Sequence, residues 1–144
     1  MKFTLYVLPE AQKRPRSRAI IHGNKAFAMT YKDTEQRVLE NRLIGHLLQH
    51  KPEEPFRGGL FLMVRAFLPV PKSRTTGKKG RKFLEEALAG KERPTTKPDM
   101  DNLVKHFKDC AKGILWQDDK QVVSCLSEKF YGDPPRWEIE VFEV

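Results

Sequence analysis

The stretch KPDMDNLVKHFKDCAKGILWQDDKQV, residues 97–122, decides how the chain is read. Advancing about 100° per residue places Leu103, Val104, Phe107, Cys110, Ala111 and Ile114 within one arc of roughly 120°. Asp101, Lys105, Lys108, Asp109 and Lys112 fall on the opposite side. The stretch therefore predicts an amphipathic helix with one core face and one charged face. Pro98 suits the turn entering it, and an acid in the first turn is favoured by the positive end of the helix dipole. Asp101 and Lys105, four apart, are neighbours on the exposed face. Asp99 stands one step before the helix, and Asp118 and Asp119 follow in the short connection to the next strand.

Upstream, GLFLMVRAFLPV (59–70) is a nearly continuous apolar run, the pattern of a strand covered on both faces. YKDTEQRVLENRLIGHLLQH holds Leu39, Leu43 and Leu47 at four-residue spacing. It predicts a helix over about 33–50, with Asp33 as cap and Gln36 three positions on. FTLYVLP (3–9) reads as a strand stopped by proline, and QKRPRSR as a loop. PKSRTTGKKGRK reads as a flexible basic loop before a short helix, KFLEEALAG, ended by Gly90. Downstream, QVVSCLSEKFY and RWEIEVFEV read as strands. In the second, Trp137, Ile139 and Val141 alternate with Arg136, Glu138 and Glu140. GDPP (132–135) joins the two as a turn, so a C-terminal β-hairpin is expected. There is no internal repeat and no dividing linker. The expected fold class is α+β: a single small domain over 1–144, a mixed β-sheet packed with about three helices.

At 144 residues, 39% hydrophobic and 32% charged, the chain is long enough to bury a core and too apolar for disorder of the whole. No apolar run approaches the ~18 residues of a membrane helix, and the N-terminus lacks a signal peptide's apolar stretch. A cytoplasmic protein that touches no membrane is expected. Cys110 and Cys125 lie in apolar contexts without metal-ligand spacing and read as reduced core residues. The 27 Lys and Arg against 19 Asp and Glu leave a formal net charge of +8, which draws polyanions. The excess sits in two clusters. Lys13, Arg14, Arg16 and Arg18 form one; Lys72, Arg74, Lys78, Lys79, Arg81 and Lys82 form the other. Both lie beside Pro, Gly, Ser or Thr, as loops that fold onto a phosphate backbone would. Solubility and an acidic protein partner are the alternatives.

Several aspartates together offer the hard oxygen ligands that Mg²⁺ or Mn²⁺ takes. Such an ion beside a phosphodiester activates water and neutralises charge on the phosphate. A lysine next to the carboxylates stabilises the transition state or the leaving oxygen. Solvated acids at helix ends and a structural ion are the other readings, and spacing alone leaves all three open. A helix of about 12 residues rises some 18 Å. Asp118 and Asp119 therefore meet Asp101 only if the following strand runs back alongside the helix, or if a second subunit intervenes.

The pattern Asp-x-Asp-Asn-Leu-x-Lys (99–105), a further aspartate on the same helix, a short gap with an aromatic residue, and Asp-Asp-x-Gln-Val (118–122) resembles the RusA family of phage and bacterial Holliday-junction resolvases. The likeness is close over 97–123. It is looser in the N-terminal half, through an initial strand, the KRPR segment and the apolar central strand. It implies a Mg²⁺-dependent homodimeric endonuclease, with Mn²⁺ able to substitute, that cuts four-way DNA junctions by paired symmetric nicks in recombination and repair. Position by position, Asp99, Asp101 and Asp119 match the catalytic, metal-binding acids and Lys105 the essential lysine. Asp118 matches the acidic pair as a further candidate ligand. The gap between Lys105 and that pair is one residue shorter than in the best-known member. Asp119 is preferred because it directly precedes the Lys-Gln-Val that enters the strand. A homodimer has physical sense, since a four-way junction is close to two-fold symmetric. Phe67, Leu68, Phe83 and Leu84 are candidates for its apolar interface, and Phe67 and Leu68 also for a wedge into a junction centre.

His46 and His50, four apart on a helix, have no third ligand nearby and read as solvated or packed imidazoles rather than a zinc pair. Trp116 and Trp137 read as core anchors rather than stacking partners for bases. Two functional classes remain: a structure-selective, metal-dependent endonuclease, and a catalytically silent branched-DNA-binding protein that uses the same acids structurally.

Overall fold

The apolar run 59–70 becomes the centre of a sheet. In the computed structural model, which describes residues 1–144, β4 (Leu60–Leu68) buries every second side chain and pairs along both edges. Strand β6 (Arg136–Glu143) lies antiparallel on one side and β5 (Val122–Tyr131) parallel on the other. Strand β1 (Lys2–Leu5) pairs antiparallel with β6, so the order is β1-β6-β4-β5. The sheet is mixed, as expected.

One face of this sheet holds the core. Leu60, Leu62, Val64 and Ala66 of β4, Trp137, Ile139 and Val141 of β6, and Phe3 and Leu5 of β1 meet Leu43 and Leu47 of α1 (Thr34–Leu48) and Leu103, Phe107, Cys110 and Ala111 of α3 (Met100–Ala111). Each fully buried side chain of this size contributes about 1.5–3 kcal/mol of transfer free energy. The core face of α3 is the arc read from the sequence. The other sheet face carries Phe61, Met63, Leu126 and Phe142, with Leu126 and Phe142 exposed. The expectation that β4 is covered on both faces therefore holds on one face only within the chain.

The C-terminal β-hairpin is a correction. Strands β5 and β6 are consecutive but not paired, because β4 lies between them. The link Gly132–Pro135 contains two prolines and is no two-residue primed turn; it carries the chain across two strand spacings, about 10 Å. The physical reason is apolar content. Strand β4 is the more apolar, so it takes the centre, and β5, with Val123 through Leu126 exposed, takes the edge. Phe67 stacks on Phe130 across the β4–β5 pair, at 5.0 Å between ring centroids.

A hairpin does exist, elsewhere. Residues Arg16–His22 and Lys25–Tyr31 form β2 and β3, a separate two-stranded sheet. The segment read as a basic loop thus runs into a strand from Arg16 onward. His22 pairs with Lys25 around a two-residue turn, Gly23-Asn24, in which Gly23 has a φ of 60°. Glycine takes that left-handed conformation without a Cβ penalty.

The second basic segment is likewise more ordered than expected. Lys72–Arg74 make a 3₁₀ turn, and α2 spans Gly77–Leu88, so Lys78, Lys79 and Arg81 ride on helix rather than on a flexible loop. Gly80 allows it: a Cβ there would lie 2.3 Å from the Thr75 carbonyl carbon. Farther along α2, Phe83 packs edge-on against Tyr131 and lies under the Arg74 guanidinium. Helix α1 is capped by Asp33, which accepts from the Glu35 N–H at 3.4 Å. Gln36 does not close a capping box. It is buried and instead accepts from the Lys13 N–H at 2.7 Å.

Candidate active site

Three aspartates precede short or long helical turns in this chain, and they behave differently. Asp33 and Asp118 spend their carboxylates on backbone N–H groups. Asp99 is the N-cap residue of α3 but makes no side-chain cap bond. It lines a concavity of about 680 Å³ together with Lys13, Arg14, Lys97 and Asn102, among others. The basic N-terminal segment is held there by Gln12, whose N–H reaches the Asn102 carbonyl and whose side-chain amide donates to Asp109 at 2.7 Å.

Strand β5 runs back alongside α3. Near its end, Lys129 donates to the carbonyls of Thr96 and Pro98, both at 3.0 Å, just before α3 begins. Arg93 straps the same connection, donating to the Lys129 carbonyl at 2.9 Å. The strand after the acids thus runs back alongside the helix, with its end, rather than the Asp118–Asp119 turn at its start, beside the beginning of α3. Between helix and strand lies a groove of about 430 Å³. It is lined by Asp101, Lys105, Lys108 and Asp109 of α3, by Asp119, and by Cys125 and Ser127 of β5. Cys125 is exposed there, so it is not the core residue expected of it. Cys110 is, and burial pushes its thiol up to about 12.

The turn bearing Asp119 is rigidly built. Gln121 accepts from the N–H groups of Gln117 and Asp118, both at 2.9 Å, and donates to the carbonyls of Phe56 at 2.8 Å and Gly58 at 3.3 Å. Every lone pair and N–H of that amide has a partner. Trp116, fully buried, donates its indole N–H to Asp119 Oδ1 at 2.8 Å. A hydrogen bond to an ionised acceptor is worth about 1.5–3 kcal/mol, enough to fix the carboxylate's rotamer. Asp118 accepts from the Lys120 N–H at 3.0 Å within a capping box with Gln121. That backbone bond holds the Asp118 carboxyl below the usual carboxylate range. Trp116 is thus the core anchor it was read to be, and also an orienting donor. The role of Gln121 was missed, although its place in Asp-Asp-x-Gln-Val marked it.

The family model described as Endodeoxyribonuclease RusA matches residues 7–142. The chain belongs to the RusA endodeoxyribonuclease family. A Bacillus subtilis (strain 168) protein, Uncharacterized protein YqaN, is 37% identical over 144 residues, spanning all of this chain and 96% of that protein.

Within this RusA-family chain, Asp101, Lys105 and Asp119 share one groove, whereas Asp99 opens onto the neighbouring concavity and Asp118 is engaged as a cap. No group of three or more His, Cys, Asp or Glu side chains is placed to hold a metal ion. Of the DNA-binding residues expected, Lys13 pairs with Glu35 and Arg16 with Asp33. Arg14, Arg18, Lys72, Lys78, Lys79 and Arg81 are exposed. Arg74 lies over the Phe83 ring, 3.7 Å from its centroid. Phe67, named as a wedge candidate, stacks on Phe130 and lies under the Arg136 guanidinium, and Leu68 is buried. His50 stacks on Phe3. No helix is long and apolar enough to cross a membrane.

Proposed function

We propose that this chain is a divalent-metal-dependent endonuclease that resolves four-way DNA junctions by paired symmetric nicks, acting as a homodimer. One observation carries the reading. Asp101, Lys105 and Asp119, separated by up to 18 positions in sequence, line a single groove together with Lys108, and Gln12 ties the basic N-terminal segment to it at Asp109. The donor set is compatible with Mg²⁺, which needs only one or two carboxylates when waters and substrate phosphates complete the shell. Asp101 and Asp119 are those two; Asp99, two positions before Asp101, lines the neighbouring concavity, and Asp118 caps the turn before β5. When bound, the ion supplies an activated water and neutralises phosphate charge. Lys105, on the same wall as Asp101, stabilises charge developing on the scissile phosphate or its leaving oxygen. Trp116 keeps the Asp119 carboxylate aimed. The basic segments hold the backbone in place.

The homodimer is supported by the uncovered sheet face. Phe61, Met63, Leu126 and Phe142 form an apolar patch on a strand pair of the kind normally covered on both sides. Two copies would present two grooves to the opposed strands of a junction.

The test uses purified protein, a synthetic four-way junction and Mg²⁺. Symmetric nicks are expected, and Asp101→Asn should bind the junction but cut about 10²–10³-fold more slowly. Cutting of plain duplex at comparable rates would remove the junction selectivity, and activity unchanged in EDTA would remove the metal. The second reading is a silent branched-DNA-binding protein that uses the same acids structurally, as Asp118 does in capping its turn. It predicts salt-sensitive junction binding with no product under any divalent metal.

A further inference from the structure

The β2–β3 hairpin contributes no side chain to the core, and of its strand residues only Ile20 is even half-buried. An isolated two-stranded hairpin is marginally stable in water, so its sequence must serve contacts outside the chain's own core. Because cross-strand partners share a face, the register sorts the side chains cleanly. One face sets Arg16, Arg18, Ile20 and His22 of β2 opposite Tyr31, Met29, Phe27 and Lys25 of β3. The opposite face, at the alternate positions from Ser17 to Ile21 and from Ala26 to Thr30, carries no charge. Phe27 and Met29 are 56% and 51% exposed, unusual for large apolar side chains on a surface with no cover. No Asp or Glu occurs from Ala11 through Lys32. The base of the hairpin is tied to the start of α1 by the Arg16–Asp33 ion pair, next to the concavity onto which Asp99 opens.

Cations beside exposed rings suit a polyanion that also offers flat apolar faces. Face-to-face self-association would set Arg18 and Lys25 against their own copies with no acid to offset them. We propose that this cationic–aromatic face is a branch-point DNA contact distinct from the acidic groove. Arg18 and Lys25 hold backbone phosphates, and Phe27 and Tyr31 stack on bases left unstacked where the duplex arms part. The proposal rests on the branched-DNA reading above and adds which element senses the branch.

The experiment measures binding of a four-way junction and of a matched duplex by Asp101→Asn protein, with and without hairpin substitutions. Phe27→Ala and Tyr31→Ala should weaken junction binding between about 5-fold and about 100-fold while leaving duplex binding unchanged. Arg18→Ala with Lys25→Ala should weaken both and reduce the salt slope of log K by about 2. Ile21→Ala, on the uncharged face, should change neither. Equal losses on junction and duplex for Phe27→Ala, no loss at all, or an equal effect of Ile21→Ala would overturn the proposal. So would a smaller assembly of Phe27→Ala in sedimentation equilibrium, which would make the hairpin a contact between copies. Unchanged thermal midpoints establish that the variants fold. If the nuclease reading alone is wrong, the parent chain cuts nothing while the variants still separate junction from duplex. If only the hairpin proposal is wrong, the parent cuts and the variants bind as Asp101→Asn does.

Discussion

The groove between α3 and β5 and the β2–β3 hairpin are built on opposite physical plans. Around the groove, polar side chains are used to lock the frame. Gln121 satisfies four backbone groups, Trp116 holds Asp119, and Lys129 and Arg93 bind the approach to α3. In the hairpin, large side chains stand in water with no partner from the core. Chemistry on a phosphodiester needs carboxylates held in place before the substrate arrives, because positioning after binding costs rate. Gripping a flexible, branched substrate tolerates, and gains from, a surface that is completed only on contact.

The sharpest way to break this comparison is to truncate the same residue type in each region. Phe107→Ala, in the core beneath α3, should cost about 3–5 kcal/mol in denaturant unfolding. Phe27→Ala should stay within about 0.5 kcal/mol. Comparable losses would mean that the hairpin is part of the folding unit after all.

Next in size is the division of labour between the two adjacent acids. Asp119→Asn should lower the cleavage rate about 10²–10³-fold, whereas Asp118→Asn, which can still cap the turn, should leave it within a few-fold. Steady-state rates on a four-way junction check this, and reversed effects would exchange the roles assigned to them.

Trp116→Phe keeps an aromatic six-membered ring but removes the pyrrole ring and with it the N–H that orients Asp119. Cleavage should fall about 10- to 100-fold, with junction affinity retained. A purely structural Trp116 would instead lower stability and leave the rate of the folded fraction unchanged.

The smallest effect concerns pH. His106 is buried beside Gln36, with Glu40, Asp109 and Lys32 around it; burial lowers its pKa from 6.5, against the pull of Glu40 and Asp109. The unfolded chain therefore binds the proton more readily than the folded one, so stability rises with pH through this window. It is fully present above about pH 6.5 and declines as pH falls toward the lower folded value. The thermal midpoint should drop between pH 7.5 and pH 5.5, and His106→Gln should flatten that slope. Glu40 acts in a lower window. Burial raises its carboxyl, but hydrogen bonds from Lys32 and Gln36 and the Lys32 charge outweigh that, so its contribution is lost only below about pH 4.5.

Much of the site was legible in the chain because a helix imposes its own geometry. Rotation about α3 separated Leu103, Phe107 and Cys110 from Asp101 and Lys105 without any tertiary information, and the structure keeps that division. The run 60–68 likewise marked the central strand, and Gly23-Asn24 between apolar flanks was a hairpin signal that went unread beside so many charges. What local sequence could not decide was adjacency between distant segments. Strands β5 and β6 are neighbours in the chain yet separated in the sheet, because the apolar β4 takes the centre and displaces the more polar strand to the edge. The distinction among Asp33, Asp99 and Asp118, all acids before a helical turn, also lay beyond the sequence. It depends on which carboxylate turns to the backbone and which is left lining a cavity, a matter of rotamer and packing. The residue types and their helical spacing established a charged face bearing Asp101 and Lys105, and the likeness over 97–123 is what pointed to nuclease chemistry there. Only the packing of β5 against α3 made a groove that Asp101 and Lys105 share with Asp119, since which strand lies beside a helix is decided by the order of the whole sheet.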